Sequence, residues 1–145
     1  MPSSAPRRPI ITICGSSGEI PDTVRDLCLH LGRALADHGW SVACGGRDGV
    51  MAAVCEGVQT SSASERGLAI GLLPGTGYEG ANAFCDLVLP LGIGYARNAS
   101  VALSGEAVIV VRGASGTLSE AAFAWQFGRP LAAMVGTGGV ADAIG

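Results

Sequence analysis

The sequence predicts a three-layer α/β domain with a mostly parallel sheet and helices on both faces, and three observations carry that prediction. Short apolar runs rich in Val, Ile and Leu alternate with segments whose apolar residues recur every three to four positions. Glycine, at 23 of 145 residues, gathers directly after those runs. The core material is small: 48% of the chain is hydrophobic and only 5% aromatic, which suits closely approaching layers of Ala, Val, Leu and Ile.

The elements follow in order. Residues 10–14 form a first buried strand that enters Gly15-Ser16-Ser17-Gly18. Pro21-Asp22 opens a helix with Val24, Leu27, Leu31 and Leu35 on one stripe, closed by His38-Gly39. Residues 40–44 read as strand two, Gly45-Gly46-Arg47-Asp48-Gly49 as its loop, and 50–58 as the next helix. Small polar residues 61–64 make a surface loop, and 68–73 make a third strand stopped by Pro74-Gly75-Thr76-Gly77. Residues 78–84 read as irregular and 86–91 as a short fourth strand. A helix over 97–103, a strand over 107–111, a helix over 118–127 and a strand over 130–135 complete the alternation, with a short terminal helix from Val140. Such βα units imply right-handed crossovers. Residues 1–8 are expected as a flexible tail and 9–145 as one domain, a size that supports a single core.

Composition narrows the function. Nine basic and twelve acidic residues give a formal charge of −3, which argues against broad capture of nucleic acid or of an acidic membrane. A single phosphorylated small molecule stays open as a partner, because helix ends and backbone N–H groups bind phosphate without net positive charge. Every basic residue is arginine, so the chain lacks the lysine of a Walker A loop and an ATPase of that kind is excluded. Cys14, Cys28, Cys44, Cys55 and Cys85 form no CxxC pair, and His30 and His38 alone could join them, so no metal site is expected. Reduced buried thiols, and no signal-peptide core after Arg7-Arg8, give a cytoplasmic expectation. The low charge density and a positive mean hydropathy of +0.42 are consistent with some apolar surface being covered by a second subunit.

The chemistry concentrates in the post-strand loops, the rim where ligands collect in open α/β sheets. In Cys44-Gly45-Gly46-Arg47-Asp48-Gly49-Val50-Met51, the residues Gly45, Gly46, Gly49, Val50 and Met51 either aim N–H groups at a phosphate or form a tight turn with close packing. Gly15 and Ser16 offer a weaker version of the same idea, and Ser16 either bonds a ligand or caps a turn. In Gly113-Ala114-Ser115-Gly116-Thr117-Leu118-Ser119-Glu120, the residues Gly113, Ser115, Gly116 and Thr117 form an anion-suited loop. Thr117 and Glu120 also have the T-x-x-E spacing of a capping box. Glu120 therefore either closes that box or faces a ligand's sugar as acid, base or acceptor. Arg97, beside Asn98, suits a phosphate or carboxylate and can face Glu120 across adjacent loops. Asn82 and Asp86 are lesser candidates. The segment 121–127, rich in Ala and aromatics, serves either as an interface face or as packing on the sheet.

Three segments together, GGRDGVM at 45–51, GYARN at 94–98 and GTLSE at 116–120, resemble the family variously described as LOG-like, lysine-decarboxylase-like and molybdenum-cofactor-carrier-like, related to the nucleotide-binding core of DprA. The resemblance runs from residue 11 to about 135 and implies a Rossmann-type fold and a homodimer or higher homo-oligomer. LOG enzymes hydrolyse the N-glycosidic bond of nucleoside 5′-monophosphates, and by position Arg97 and Glu120 match their catalytic arginine and glutamate. The phosphate loop PGGxGT of those enzymes reads Arg112-Gly113-Ala114-Ser115-Gly116-Thr117 here, and their arginine–lysine pair reads Arg97-Asn98. Those departures look more like the carrier branch. The resemblance thus implies binding of a phosphorylated nucleotide or related phosphoester, with molybdenum cofactor or a nucleoside monophosphate as ligand and no resident cofactor. The alternative is a nucleoside monophosphate phosphoribohydrolase.

Overall fold

Each apolar run that ends in glycines becomes a strand, and each period-3.6 stretch becomes a helix. A computed structural model describes residues 6–145, so residues 1–5 of the expected tail lie outside the described residues. In chain order the elements are β1 (Ile10–Gly15), α1 (Asp22–Asp37), β2 (Ser41–Cys44), α2 (Val50–Gln59), β3 (Ala69–Leu73), β4 (Leu87–Pro90), a 3₁₀ turn (Gly94–Ala96), α3 (Arg97–Ser104), β5 (Ala107–Val111), α4 (Ser115–Gln126), β6 (Leu131–Ala133) and α5 (Gly139–Ile144). Just upstream of β1, Arg7 pairs with Glu106 and Arg8 reaches Glu65 at 3.1 Å.

The sheet has six strands in the order β4-β3-β2-β1-β5-β6, and every pairing is parallel. β1 lies at the centre, with Ile11 opposite Val42 of β2 on one side and Ala107 of β5 on the other. From β1 the chain returns through α1 toward β2, and from β5 it returns through α4 toward β6, so the two crossovers leave in opposite directions. Right-handed crossovers then put α1 and α2 on one face and α3 and α4 on the other. The loops after β1 and β5 diverge, which opens a crevice at the carboxyl end of the sheet.

Strand alternation feeds both faces. Ile11, Ile13, Val42 and Cys44 pack toward α1 and α2, whereas Cys14, Ala43, Val108 and Val110 pack toward α3, α4 and α5. Thr12, fully buried, donates its hydroxyl to the Val101 carbonyl at 2.8 Å and ties β1 to α3. The stripe of α1 keeps Val24 and Leu35 of the expected set and widens to Cys28, Gly32 and Ala36, all buried, while Leu27 and Leu31 flank the seam half-buried. His30 and His38 accept their default helix-surface roles, each placing Nδ1 2.8 Å from the carbonyl four residues earlier.

The seam widens because α1 and α2 approach backbone to backbone. A Cβ on Gly32 would run into the Val54 carbonyl, and one on Gly57 into that of Leu29. Helix propensity alone makes Gly32→Ala favourable by about 1 kcal/mol. Forced overpacking opposes it by about 1–3 kcal/mol, so the expected net effect is destabilising. Urea denaturation should show Gly32→Ala with a lower midpoint, while Gly75→Ala, which meets nothing within 4 Å, stays close to wild type.

Candidate functional site

The crevice between the β1 and β5 loops is a cleft of about 530 Å³, inside the range of small-molecule sites. Its lining brings together Gly15, Ser16, Met51, Arg97, Asn98, Ser115, Gly116, Thr117 and Glu120 from the sequence-predicted set. It adds Arg47, Asp48 and Tyr95.

The two anion-suited loops are used differently. α4 starts at Ser115, with Ala114 as an extended N-cap residue whose side chain makes no cap bond. The first N–H of the helix to find its acceptor is that of Leu118, on the Ala114 carbonyl at 2.9 Å. The N–H groups of Ser115, Gly116 and Thr117 precede it at the positive end of the helix, on residues that line the cleft. This corrects the capping-box reading: Thr117 is the third helical residue rather than the N-cap, and Thr117 and Glu120 are buried on the inward face. The GGRDG loop, by contrast, reaches the cleft through none of its glycines. Val50 N–H, at the start of α2, donates to the Ser16 carbonyl at 3.0 Å, and Gly46 N–H to Cys44 Sγ at 3.4 Å. Gly45, Gly46, Gly49, Val50 and Gly113 shape the site without lining it. Gly49, at φ 64°, lets Ser16 and Gly18 approach, and a Cβ on Gly45 would stand 2.5 Å from Arg97 Nη1. What this loop presents to the cleft is the side chains of Arg47, Asp48 and Met51.

Arginine bookkeeping separates the site from the rest of the surface. Arg7, Arg8, Arg25, Arg33 and Arg66 pair with carboxylates, and Arg112 and Arg129 bond the carbonyls of Thr137 and Leu103. Among the described residues, Arg47 and Arg97 make no salt bridge and no side-chain hydrogen bond, and both line the cleft. Arg97 Nε, Ser16 Oγ and Arg129 Nε are buried without a partner among the described residues, a condition that buried polar atoms rarely tolerate, and of the three only Arg97 and Ser16 line the cleft. Burial pulls the Arg97 guanidinium below its ordinary range, Glu120 opposes that, and the positive charge of Arg47 adds to it. Sequence reasoning passed over Arg47 as a loop residue, because nothing local reveals that it lacks a partner.

Glu120 sits on the deep wall, where its Oε2 accepts from Cys14 Sγ at 3.2 Å. Burial raises its carboxyl to about pKa 7, against the lowering pull of the Cys14 hydrogen bond and of Arg97. Burial, with Glu120 second, pushes the Cys14 thiol well up, so Cys14 acts as a neutral donor. Asn98 braces the cleft by donating from Nδ2 to Ser119 Oγ at 2.9 Å. The loop before α4 is pinned from behind: Arg112, at φ 55°, donates its N–H to Thr137 Oγ1 at 2.8 Å, and its carbonyl accepts from Ala141. Asn82 and Asp86 lie elsewhere. Asn82 Nδ2 holds the Arg47 carbonyl at 2.9 Å, and Asp86 takes Arg66, Gln59 and the Ala69 N–H. Burial opposes ionisation of Asp86, but those bonds win and hold it at about pKa 2.

A doubly wound parallel sheet with an anion-suited cleft at its switch point defines a Rossmann-like ligand-binding domain. The chain belongs to the SLOG cluster4 family, which matches residues 8–143. It is similar to the structural genomics target TM1055, with 33% identity over 94% of this chain and 79% of that one and a TM-score of 0.85. A molybdenum cofactor binding protein from the phototrophic bacterium Rippkaea orientalis is 33% identical, with 88% and 76% of the chains covered and a TM-score of 0.81. The molybdenum cofactor carrier protein of Chlamydomonas reinhardtii is 30% identical, with 87% and 76% covered and a TM-score of 0.77.

One expectation is overturned. The fold is shared, at 20% identity, a TM-score of 0.68 and coverage of 93% and 70%, with DNA processing protein A of Helicobacter pylori, described for its single-stranded DNA binding mode. Excluding nucleic acid on net charge is therefore withdrawn, because a protein that shares this fold is described as binding single-stranded DNA. Among the described residues no helix is long and apolar enough to cross a membrane.

Folding raises the Glu120 carboxyl from 4.5 to about 7, so the native state holds this proton more tightly than the unfolded chain does. Its contribution to stability is full below about pH 4.5 and is lost as pH rises through about 7. Glu120→Gln removes that loss. Relative to wild type, the variant should gain up to about 3 kcal/mol between pH 5 and pH 8, measured by urea unfolding of ligand-free protein. An unchanged difference across that range would contradict the buried protonated carboxyl.

Proposed function

We propose that the protein binds a phosphorylated nucleotide or a related phosphoester, as a carrier of molybdenum-cofactor-type pterin phosphate or as a nucleotide sensor. The observation that carries this reading is the orphaned pair Arg97 Nε and Ser16 Oγ, buried beside the free amides that begin α4. Donors of that kind, one of them charged, suit phosphate oxygens. The likeness to a molybdenum cofactor binding protein and a carrier protein supports a pterin phosphate as cargo. In that role the phosphate would meet Arg97, Ser16 and the α4 amides, and the organic body would extend along Met51 and Arg47. Mass spectrometry of the small molecule that co-purifies with the protein tests the reading directly. Arg97→Ala should weaken binding of that molecule, or of AMP or GMP, by at least tenfold, and Arg97→Lys should not restore it because the Nε donor is lost. Wild-type affinity in both variants would sink the proposal.

A second reading is favoured by Glu120. A buried carboxyl titrating near 7, set in the wall of the same cleft and within electrostatic reach of Arg97, suits general acid–base work at neutral pH. In a nucleoside monophosphate phosphoribohydrolase, Arg97 would orient the phosphate. Ionised Glu120 would take a proton from the water whose oxygen bonds C1′ as the C1′–N bond breaks, and would then pass that proton to the departing base, which returns Glu120 to its ionised form. Incubation with AMP or GMP should then release free base, and Glu120→Gln should cut that release at least a hundredfold. Equal release by both proteins rules out this mechanism, and no release by wild type leaves the binding function alone.

A further inference from the structure

We infer that Tyr95 is the stacking platform of the cleft, so that its ligand carries a flat heteroaromatic ring on the outer side of the phosphate. This rests on the phosphoester reading and names the chemistry of the rest of the molecule.

The Tyr95 side chain is 92% exposed and yet lines the cleft. It belongs to neither aromatic pair of the described residues, His38–Trp40 or Phe123–Phe127, and its hydroxyl makes no hydrogen bond among them. An aromatic ring left in water forgoes the large burial gain that such side chains supply, unless something flat covers it. A cleft of about 530 Å³ also far exceeds the needs of one anion. Among the residues that line the cleft, Tyr95 carries the one aromatic side chain, and Met51, largely buried, is the other large apolar residue.

The platform is rigidly built. Gly92 N–H donates to the Gly75 carbonyl at 2.9 Å, and Gly94 N–H to that of Pro74 at 3.0 Å, so the approach to Tyr95 is laced to the end of β3. Tyr95 then sits in the 3₁₀ turn that runs without a break into α3, with Ala96 at φ −61°, ψ −19° and Arg97 at φ −61°, ψ −19°. Tyr95 and Arg97 both line the cleft from this one short segment, which offers a stacking surface and a phosphate donor on the same rim, as a nucleoside or pterin phosphate requires. A free sugar phosphate or inorganic phosphate would leave the ring uncovered.

Calorimetry on the full chain with AMP, GMP and ribose 5-phosphate tests the inference. Nucleotides are expected to bind roughly tenfold or more tighter than ribose 5-phosphate. Tyr95→Phe should keep that ratio. Tyr95→Ala should reduce nucleotide affinity to the sugar-phosphate level while ribose 5-phosphate stays within about twofold of wild type and the melting temperature is unchanged. A ring preference that survives Tyr95→Ala overturns the inference, and so does one lost equally in Tyr95→Phe, which would point to the hydroxyl. Ribose 5-phosphate binding that depends on Arg97, with no gain from a base, defeats the stacking role alone. Binding of none of the three overturns the phosphoester reading with it.

Discussion

A guanidinium held in the crevice between β1 and β5, with its Nε buried and unpartnered, is the constraint around which the site is organised. Arg97 begins α3 directly after the Tyr95 turn, so its placement follows from how the chain leaves β4. Gly45 has no side chain because that space belongs to Arg97 Nη1 and to Met51 Sδ, 2.5 and 2.9 Å from where a Cβ would stand. The tightness of the GGRDG loop is therefore explained by making room for an arginine from another element. Gly46 N–H turns to Cys44 Sγ and Val50 N–H to the Ser16 carbonyl. The cleft is lined by the start of α4 and by Arg47, through which the loop contributes charge.

The second organising interaction is the contact between Cys14 and Glu120. A carboxylate close to Arg97 would ordinarily form a salt bridge and neutralise the donor that a ligand needs. Here burial favours the protonated acid, with its pKa at about 7, and Cys14 occupies one of its oxygens. Near neutral pH the site thus keeps much of its positive character while retaining a group able to accept a proton. Three other thiols stay out of this chemistry. Burial raises Cys28 to about 11, the hydrogen bond with Cys44 pushes Cys55 up against the lowering pull of Cys85, and the hydrogen bond with Cys55, with burial second, pushes the half-buried Cys85 up. Thiols so protonated are poor nucleophiles and poor metal ligands.

Much of this was legible in the chain, and the failures share one cause. Because those signals are local, the strand and helix periodicities and the glycines that follow strands located every strand and α-helix, though not the 3₁₀ turn at Gly94–Ala96. The rim holding Ser16, Arg97, Asn98 and Glu120 was legible for the same reason, since open α/β sheets collect their βα loops at one end. The capping box at Thr117 and Glu120 misled because T-x-x-E spacing is blind to where a helix begins, and α4 begins at Ser115. The stripe of α1 was read without Gly32, which is buried because it must face Val54, a demand set by α2. Arg47 was overlooked because being unpaired is a property of the folded surface, as is the bond from Cys14 to Glu120 across 106 residues.

Net charge misled for a related reason. A formal value of −3 sums the whole surface, but a phosphate oxygen feels the field within about a Debye length, roughly 8–10 Å at physiological salt. Five arginines are neutralised locally by carboxylates, so they contribute little potential anywhere. Of the other four, Arg112 and Arg129 bond carbonyls, and Arg47 and Arg97 line the cleft together with the positive end of α4. A protein can therefore be acidic overall and cationic where it matters. The sign of its total charge excludes neither a phosphomonoester nor a phosphodiester strand, because both present the same kind of oxygen to the same donors. Discrimination between them has to come from what the cleft does beyond the phosphate.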